Sequence, residues 1–160
     1  MFLGLGSNVG RRPSRLRRAL RLIADDSRIT LVQRSFLYKT TPVGYTAQRD
    51  FLNGTVEIRT SRSPEALLLR LQEIEGEMGK RVPFPGGPRT IDIDVLFYGK
   101  RVMRKKDLTV PHPRLHERKF VLIPLRDLAP RFVHPRLGKT TSRLLKELKS
   151  DEQVVPWGSW

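Results

Sequence analysis

Two aspartates, Asp92 and Asp94, are the residues of this sequence whose type and spacing most directly suggest chemistry. They interrupt residues 90–97, an otherwise apolar alternating run that is typical of a β-strand. Side chains at positions i and i+2 of a strand point to the same face, roughly 6–7 Å apart. Carboxylates at this spacing can bind one or two hard cations, and Mg²⁺ is commonly held by one or two carboxylates together with substrate phosphates.

The residues around the aspartates favour such a site over its simpler interpretation, which is two acids that solvate an exposed sheet face. Aspartate is a poor strand former, so two of them in one apolar strand need a reason. Arg89 follows a Gly-Gly-Pro turn directly before the strand, and a guanidinium is a planar donor for phosphate oxygens. A carboxylate pair for metal beside such a donor is a pattern of phosphoryl transfer.

The apolar periodicity predicts the elements that position these groups. We predict strands at residues 2–5, 29–38, 51–58 and 90–97, and helices at residues 11–24 and 64–78. This order predicts an α+β fold: a ferredoxin-like βαββαβ antiparallel sheet with both helices on one face. The alternation of residues 51–58 and 90–97 then places Phe51, Asn53 and the two aspartates on the opposite, open face, with Phe97 facing the helices.

The remaining residues are predicted to form an appended C-terminal segment. It contains an extended stretch at residues 108–110, helices near residues 119–128 and 140–148, and a tail that we expect to pack on the domain. We predict a single domain over residues 1–160, with a ferredoxin-like core at about 1–98 and the C-terminal extension at about 99–160.

The composition limits the compartment and the chemistry. The chain has 31 Lys+Arg against 16 Asp+Glu, a net charge of +15, so its surface attracts polyanions without identifying one. It has no cysteine, which excludes disulfides, thiolate catalysis and cysteine-based zinc sites. With no signal peptide and no apolar run that could span a bilayer, a cytoplasmic protein without a membrane partner is expected. The basic, proline-rich composition is typical of heat adaptation, although a GC-rich genome would produce it equally well.

Several ordered segments carry a resemblance to one family. They are Leu5-Gly6-Ser7-Asn8, Asp50-Phe51-Leu52-Asn53, Gly87-Pro88-Arg89-Thr90-Ile91-Asp92-Ile93-Asp94 and Leu108-Thr109-Val110-Pro111-His112-Pro113. In order and approximate spacing the chain resembles the 6-hydroxymethyl-7,8-dihydropterin pyrophosphokinase family from residue 1 to about residue 135. The resemblance implies transfer of the β,γ-pyrophosphoryl group of ATP to the 6-hydroxymethyl group of the dihydropterin, which releases AMP, in folate biosynthesis.

The resemblance also implies a role for each matching residue. Asp92 and Asp94 would bind two Mg²⁺ ions that bridge the ATP phosphates. The catalytic set would be these aspartates with Arg89, Lys80 and Arg81. The ATP-binding set would be Gln72, Glu75, Arg89, Thr109, His112 and Arg118. The pterin-binding set would be Thr40, Pro42, Val43, Phe51, Asn53 and Phe120. ATP and the pterin are thus the expected partners of a monomer that has no specific nucleic-acid ligand.

The loop at residues 80–86 departs from the family pattern. Many members have an arginine where Lys80 stands and a tryptophan where Gly86 stands, and the loop here is about one residue shorter. The departure falls on Lys80 and Arg81, the two residues of this loop that the resemblance assigns to phosphate contacts. Phe84 is a candidate to replace the missing aromatic side chain of a mobile lid.

A basic ferredoxin-like domain is also compatible with a different function, that of an RNA-binding module. The start of the chain resembles the short aromatic motif on the first strand of such modules. However, residues 51–58 have one aromatic where that module needs a basic-Gly-aromatic run. Two acids on the binding face would also repel phosphate unless a metal intervened. The pyrophosphokinase interpretation is therefore favoured.

Overall fold

A computed structural model of the protein describes residues 1–81 and 83–160. The strands are β1 (Phe2–Ser7), β2 (Ile29–Arg34), β3 (Leu37–Thr40), β4 (Phe51–Thr60), β5 (Asp92–Phe97), β6 (Met103–Arg104), β7 (Thr109–Val110) and β8 (Val154–Gly158). The helices are α1 (Arg12–Ala24), α2 (Pro64–Glu77), α3 (Lys119–Leu128) and α4 (Thr141–Glu147), with a 3₁₀ turn at Leu115–Glu117. This is a mixed α and β fold, as predicted.

The main sheet has six strands in the order β5-β1-β4-β3-β8, with β2 also paired to β4, and its pairings are antiparallel. The prediction of one continuous strand at residues 29–38 was wrong. The strand is interrupted at Ser35, whose hydroxyl accepts the Thr55 N–H at 3.0 Å while its own N–H donates to Thr55 O at 2.9 Å. β2 and β3 therefore pair separately with the two halves of the ten-residue strand β4.

One face of the sheet packs against α1 and α2. The apolar positions of α1 at helical spacing, among them Leu16 and Ile23, are buried. α2 begins as its sequence indicates, because the Ser63 hydroxyl accepts the Ala66 N–H at 3.2 Å and Pro64 occupies the first helical position. Gly79 follows the helix with φ +70, a conformation that glycine adopts at little cost.

The other face of the sheet is not open along its whole length, which corrects the expectation from strand alternation. Asn53 and Thr55 on this face are 8% and 1% exposed, because α3 packs over β4 and β3. Phe97 also lies on this side rather than facing α1 and α2. A register shift in the pairing of β1 with β5 leaves Leu96 as an extra residue, so Phe97 packs with Phe2 and with Phe132 in a second apolar cluster.

The C-terminal tail adds β8 to the edge of the sheet beside β3. Trp160, 8% exposed, packs against Gly54, where an added Cβ would lie 2.6 Å from the indole ring. Its Nε1 donates to Ser35 O at 2.7 Å. Trp157 is 44% exposed, so one of the two tail tryptophans anchors the segment. Among the residues that the structure describes, no helix is long and apolar enough to cross a membrane.

Candidate active site

A cavity of about 490 Å³ opens on the second face of the sheet, above β1, β4 and β5. Its other walls are the loop after β3, the end of the loop before β5, and the first turn of α3. Many of the sequence-predicted site residues line it: Thr40, Val43, Phe51, Asn53, Arg89, Asp92, Asp94, Arg118 and Phe120. The carboxylates and the polar residues of β4 thus reach one space, as strand alternation predicted.

The two aspartates lie among cations on one side of the cavity. Asp92 Oδ1 accepts a hydrogen bond from Lys80 Nζ at 2.8 Å, and Asp92 also pairs with the Arg89 guanidinium. Arg118 Nη1 lies 3.9 Å from Asp94 Oδ2. Burial, followed by the negative charge of Asp92, raises the pKa of Asp94 to about 6. This side of the cavity has the charge pattern of a site for a metal-bound polyphosphate.

The donor set fits a magnesium ion that brings most of its own ligands. Both aspartates line the cavity from adjacent same-face positions of β5. Within residues 1–81 and 83–160, no group of three or more His, Cys, Asp or Glu side chains forms a closed metal cage. Mg²⁺ usually keeps several waters and takes one or two carboxylates plus substrate phosphates, so a pair of aspartates suffices.

Lys80 is fixed beside the aspartates by Glu75. Its ammonium lies 2.7 Å from Glu75 Oε1, which also accepts the Ile93 N–H at 2.7 Å. Burial opposes the charge on Lys80, but Asp92 and Glu75 outweigh it and raise the lysine pKa. For Glu75 the balance is the reverse: burial raises the pKa of its carboxyl group, although the charge of Lys80 acts to lower it. Glu75 is 7% exposed beneath β5 and does not line the cavity, whereas Gln72 is exposed on α2, also away from the cavity lining.

The opposite side of the cavity presents an oriented amide and two aromatic side chains. Asn53 Nδ2 donates to Thr40 Oγ1 at 2.7 Å, which fixes the orientation of the amide. A Cβ at Gly6 would lie 2.3 Å from Asn53 Oδ1, so the amide fits only because position 6 is glycine. Phe51 and Phe120 line the same cavity. Polar atoms at the edge and aromatic rings nearby are the combination that typical small-molecule pockets present.

Five other predicted residues lie outside the cavity lining: Pro42, Lys80, Arg81, Thr109 and His112. Arg81 is exposed, and Thr109 lies in β7. His112 is half-buried; its N–H donates to Leu96 O at 2.9 Å and its Nδ1 accepts the Arg114 N–H at 3.2 Å. Burial, followed by the charges of Arg118 and Arg114, lowers the pKa of His112 to about 4, so its imidazole is neutral at pH 7.

Several lining residues were not predicted: Tyr45, Gln48, Arg114, Glu117 and Glu152. Gln48 connects three loops, because its Oε1 accepts from Asn8 Nδ2 at 2.8 Å and its Nε2 donates to Gly86 O at 2.9 Å. Arg114 directly follows the His112-Pro113 motif, and this basic residue beside a family motif could have been predicted to line the site.

Phe84, the candidate aromatic of the lid, is 42% exposed. Its ring contacts the Tyr45 ring edge-on, with 5.1 Å between the ring centroids. Val82 of the same loop lies outside the described residues.

The fold and the cavity together define an α and β transferase of the phosphoryl-transfer class. The family model described as 7,8-dihydro-6-hydroxymethylpterin-pyrophosphokinase (HPPK) matches residues 2–130, and the chain belongs to this family. It is therefore a pyrophosphokinase, as the resemblance of its motifs implied.

Relatives of known name agree with this assignment. The chain is 43% identical over 127 residues to a Bacillus subtilis protein, covering 79% of this chain and 76% of the relative. It is 38% identical to an Aquifex aeolicus protein, covering 98% and 94%. Both relatives are named 2-amino-4-hydroxy-6-hydroxymethyldihydropteridine pyrophosphokinase.

The fold likeness extends to a larger protein. The crystal structure of Plasmodium falciparum HPPK-DHPS with SDX-DHP matches with a TM-score of 0.70 at 19% identity. The match covers 91% of this chain and 43% of that one. None of these findings supports the RNA-binding alternative, and α3 covers part of the sheet face that such a module would offer to bases.

Proposed function

We propose that this protein transfers the pyrophosphoryl group of ATP to 6-hydroxymethyl-7,8-dihydropterin and releases AMP, in folate biosynthesis. The observation that carries the proposal is that one cavity joins a carboxylate–arginine cluster to an amide-and-aromatic pocket. The volume of about 490 Å³ lies within the range of roughly 300–1,000 Å³ that is typical of small-molecule sites. The names of the relatives support the pterin as the acceptor of a pyrophosphoryl group.

The cationic side chains would receive the triphosphate. Arg89 and Arg118 line the cavity, and Lys80 lies beside Asp92. Guanidinium groups bind phosphate oxygens in a planar, bidentate manner, and they neutralise the charge that develops as the phosphoryl group is transferred. Asp92 and Asp94 would hold Mg²⁺, as one ion or as the expected two, which when bound would supply further neutralisation of the phosphate charge.

The pterin would lie on the side of Asn53. The amide offers donors and an acceptor, which suits the mixed hydrogen-bonding edge of a pterin. Thr40 holds the amide in one orientation, and Phe51 and Phe120 contribute aromatic surface for the ring. Orientation is the main catalytic contribution here, because transfer needs the hydroxymethyl oxygen aligned with the β-phosphorus.

The transfer step balances without a covalent enzyme intermediate. A bond forms between the hydroxymethyl oxygen and the β-phosphorus, while the bond from that phosphorus to the oxygen bridging the α-phosphate breaks. AMP leaves with the bridging oxygen, and the hydroxyl proton passes to the surrounding carboxylates or water. The residues of the cavity therefore position groups and stabilise charge rather than attack the substrate.

The test is AMP formation from ATP and Mg²⁺, measured with and without the pterin. We compare the wild-type protein with Asp94→Ala and with Asp107→Ala, a control that removes an exposed acid outside the cavity lining. We expect pterin-dependent AMP in the wild type and in the control, and its loss in Asp94→Ala and after chelation of Mg²⁺. Folded, metal-loaded wild-type protein that forms no pterin-dependent AMP would remove the proposal.

We also propose that residues 1–98 form a ferredoxin-like core and residues 99–160 an extension of the same domain. β1 supports this unity because Leu3 packs in the cluster under α1 and α2 while Phe2 packs in the cluster under α3. A monomeric, cytoplasmic and heat-adapted protein is the accompanying hypothesis. Light scattering coupled to gel filtration tests the monomer, and a melting midpoint in the ordinary mesophile range of about 45–65 °C would contradict heat adaptation.

A further inference from the structure

The first turn of α3 has an unusual source of capping. α3 begins at Lys119, and the residue before it, Arg118, makes no side-chain cap. The first backbone N–H groups of a helix lack partners within the helix and need an acceptor. Here the carboxylate of Glu152, 32 positions further along the chain, accepts the Phe120 N–H at 3.0 Å. A carboxylate at the positive end of a helix is a strong acceptor.

Glu152 is itself held by the segment that leads into β8. Its N–H donates to Ser150 Oγ at 3.2 Å. The next residue, Gln153, exchanges two hydrogen bonds with Thr41, from Gln153 N to Thr41 Oγ1 and from Thr41 N to Gln153 O, each 3.2 Å. One short segment thus joins the loop after β3 to the start of α3.

Both of the joined elements are walls of the cavity. Thr40 and Thr41 line it from one side, Phe120 lines it from α3, and Glu152 lines it between them. Arg118 lies over the Phe120 ring, 5.6 Å from its centroid, and also 3.9 Å from Asp94. The turn that Glu152 caps therefore carries one aromatic residue and one cation of the site.

We infer that Glu152 is a positioning residue of the pterin site: it caps α3 so that the Phe120 ring stands opposite the Thr40 wall. The inference rests on the proposed function and adds to it a residue beyond the part of the chain that the family model matches, residues 2–130. Glu152 acts through its hydrogen bond to the Phe120 N–H, and through Phe120 it sets the width of the space for the ring.

Two variants distinguish the role of the Glu152 hydrogen bond from the role of its negative charge. Glu152→Gln keeps an oxygen that can accept the Phe120 N–H, whereas Glu152→Ala removes the acceptor. We expect Glu152→Ala to raise the KM for the pterin roughly fivefold to tenfold, the factor typical of one lost helix cap, with a smaller change in the KM for ATP. Glu152→Gln should stay within about twofold of the wild type, because the acceptor persists.

A matched control removes a cap of the same kind elsewhere. The Thr140 hydroxyl accepts the Arg143 N–H at 3.2 Å at the start of α4, and Thr140 is not among the cavity-lining residues. Thr140→Ala should lower the melting temperature by an amount similar to Glu152→Ala and leave the KM for the pterin unchanged. Amide hydrogen exchange supplies a second readout, since the Phe120 amide should exchange faster in Glu152→Ala alone.

The outcomes are distinguishable. A wild-type protein without pterin-dependent AMP formation contradicts the proposed function. An active wild type with an unchanged pterin KM in Glu152→Ala contradicts this inference alone. Equal increases in KM for Glu152→Ala and Thr140→Ala would mean that lost stability explains the effect, and this also overturns the inference. An equal increase for Glu152→Gln and Glu152→Ala would overturn the hydrogen-bond role in favour of the charge.

Discussion

The ammonium of Lys80 bridges two carboxylates of different kinds: Asp92, which lines the cavity, and Glu75, which lies beneath β5. Its Nζ atom is 2.8 Å from Asp92 Oδ1 and 2.7 Å from Glu75 Oε1. A metal ion that engages Asp92 therefore leaves Lys80 with a second partner. Glu75 in turn holds the backbone of β5 through the Ile93 N–H, so this bridge links the charge of the site to the strand that carries the aspartates.

We predict that Lys80→Met lowers the free energy of unfolding by about 2 kcal/mol, because it leaves the buried Glu75 carboxylate without its cation. The figure is below the value for a fully buried pair, since the Lys80 side chain is 24% exposed. Glu75→Gln should recover most of the loss in the double variant, because the amide oxygen still accepts the Ile93 N–H. Urea unfolding of the wild type, both single variants and the double variant measures the coupling. Equal losses from Lys80→Met with and without Glu75→Gln would contradict the prediction.

We predict that Gly6→Ala weakens pterin binding by about tenfold or more while the KM for ATP stays the same. The new methyl group would lie 2.3 Å from Asn53 Oδ1, so the amide must leave the orientation that Thr40 fixes. Gly4→Ala is the matched control on the same strand, since its Cβ would meet Leu96 at an ordinary 3.4 Å. Steady-state kinetics with each substrate varied in turn measures both constants. Equal effects of the two substitutions would contradict the role given to Asn53.

We predict a contribution of His134 to the pH dependence of stability. Its Nδ1 accepts the N–H groups of Arg136 at 3.2 Å and Leu137 at 3.3 Å, which requires an unprotonated nitrogen. Burial, followed by the charge of His116, lowers the pKa of His134. Below about pH 6.5 the unfolded chain then binds a proton that the folded protein resists, so stability falls as the pH falls.

The measurement is the difference in unfolding free energy between the wild type and His134→Asn, whose amide oxygen can still accept an N–H. This difference should narrow as the pH is lowered from about 8 to about 5. Subtraction of the variant profile removes the contributions of Asp94 and His112, which are common to both proteins. A difference that stays constant across this range would contradict the prediction.

We predict that Trp160→Ala destabilises the fold by about 3–5 kcal/mol, the usual cost of truncating a large buried aromatic residue. Trp160 fills the space above Gly54 and donates to Ser35 O, so the substitution leaves both a cavity and an unpaired carbonyl. Trp157→Ala is the control, since Trp157 is 44% exposed and should cost less than about 1 kcal/mol. Thermal and urea unfolding of both variants measure the contrast; similar losses would contradict it.

The local sequence was sufficient for much of the fold and for the position of the carboxylate pair. Ser63 and Pro64 mark the start of α2, and period-two alternation puts Asp92 and Asp94 on one face with Asn53, because both signals depend only on near neighbours. The face of the sheet on which Phe97 lies could not be predicted. It depends on the extra residue Leu96, and that irregularity arises only in the pairing of β5 with β1.

Long-range features left no readable signal. β8 contains Pro156, which argues against a strand unless the strand lies at an edge, as it does here. Glu152 reaches the cavity because β8 pairs with β3, and no pattern near residue 152 indicates that partner. The match to the family predicted roles for Gln72 and Glu75 at ATP, yet neither lines the cavity, and their roles stay predictions.

The pairing of β8 with β3 also sets an order in which the two halves of the site can form. Gln153 and Thr41 are 112 positions apart, so their contact cannot form until the segment that leads into β8 has been synthesised. On the ribosome, the strands that present the aspartates are released before the segment that caps α3 and closes the Thr40 wall. A nascent chain can therefore assemble the phosphate side of its site first. The side of the cavity beside Thr40 and Phe120 is complete only when β8 has paired with β3.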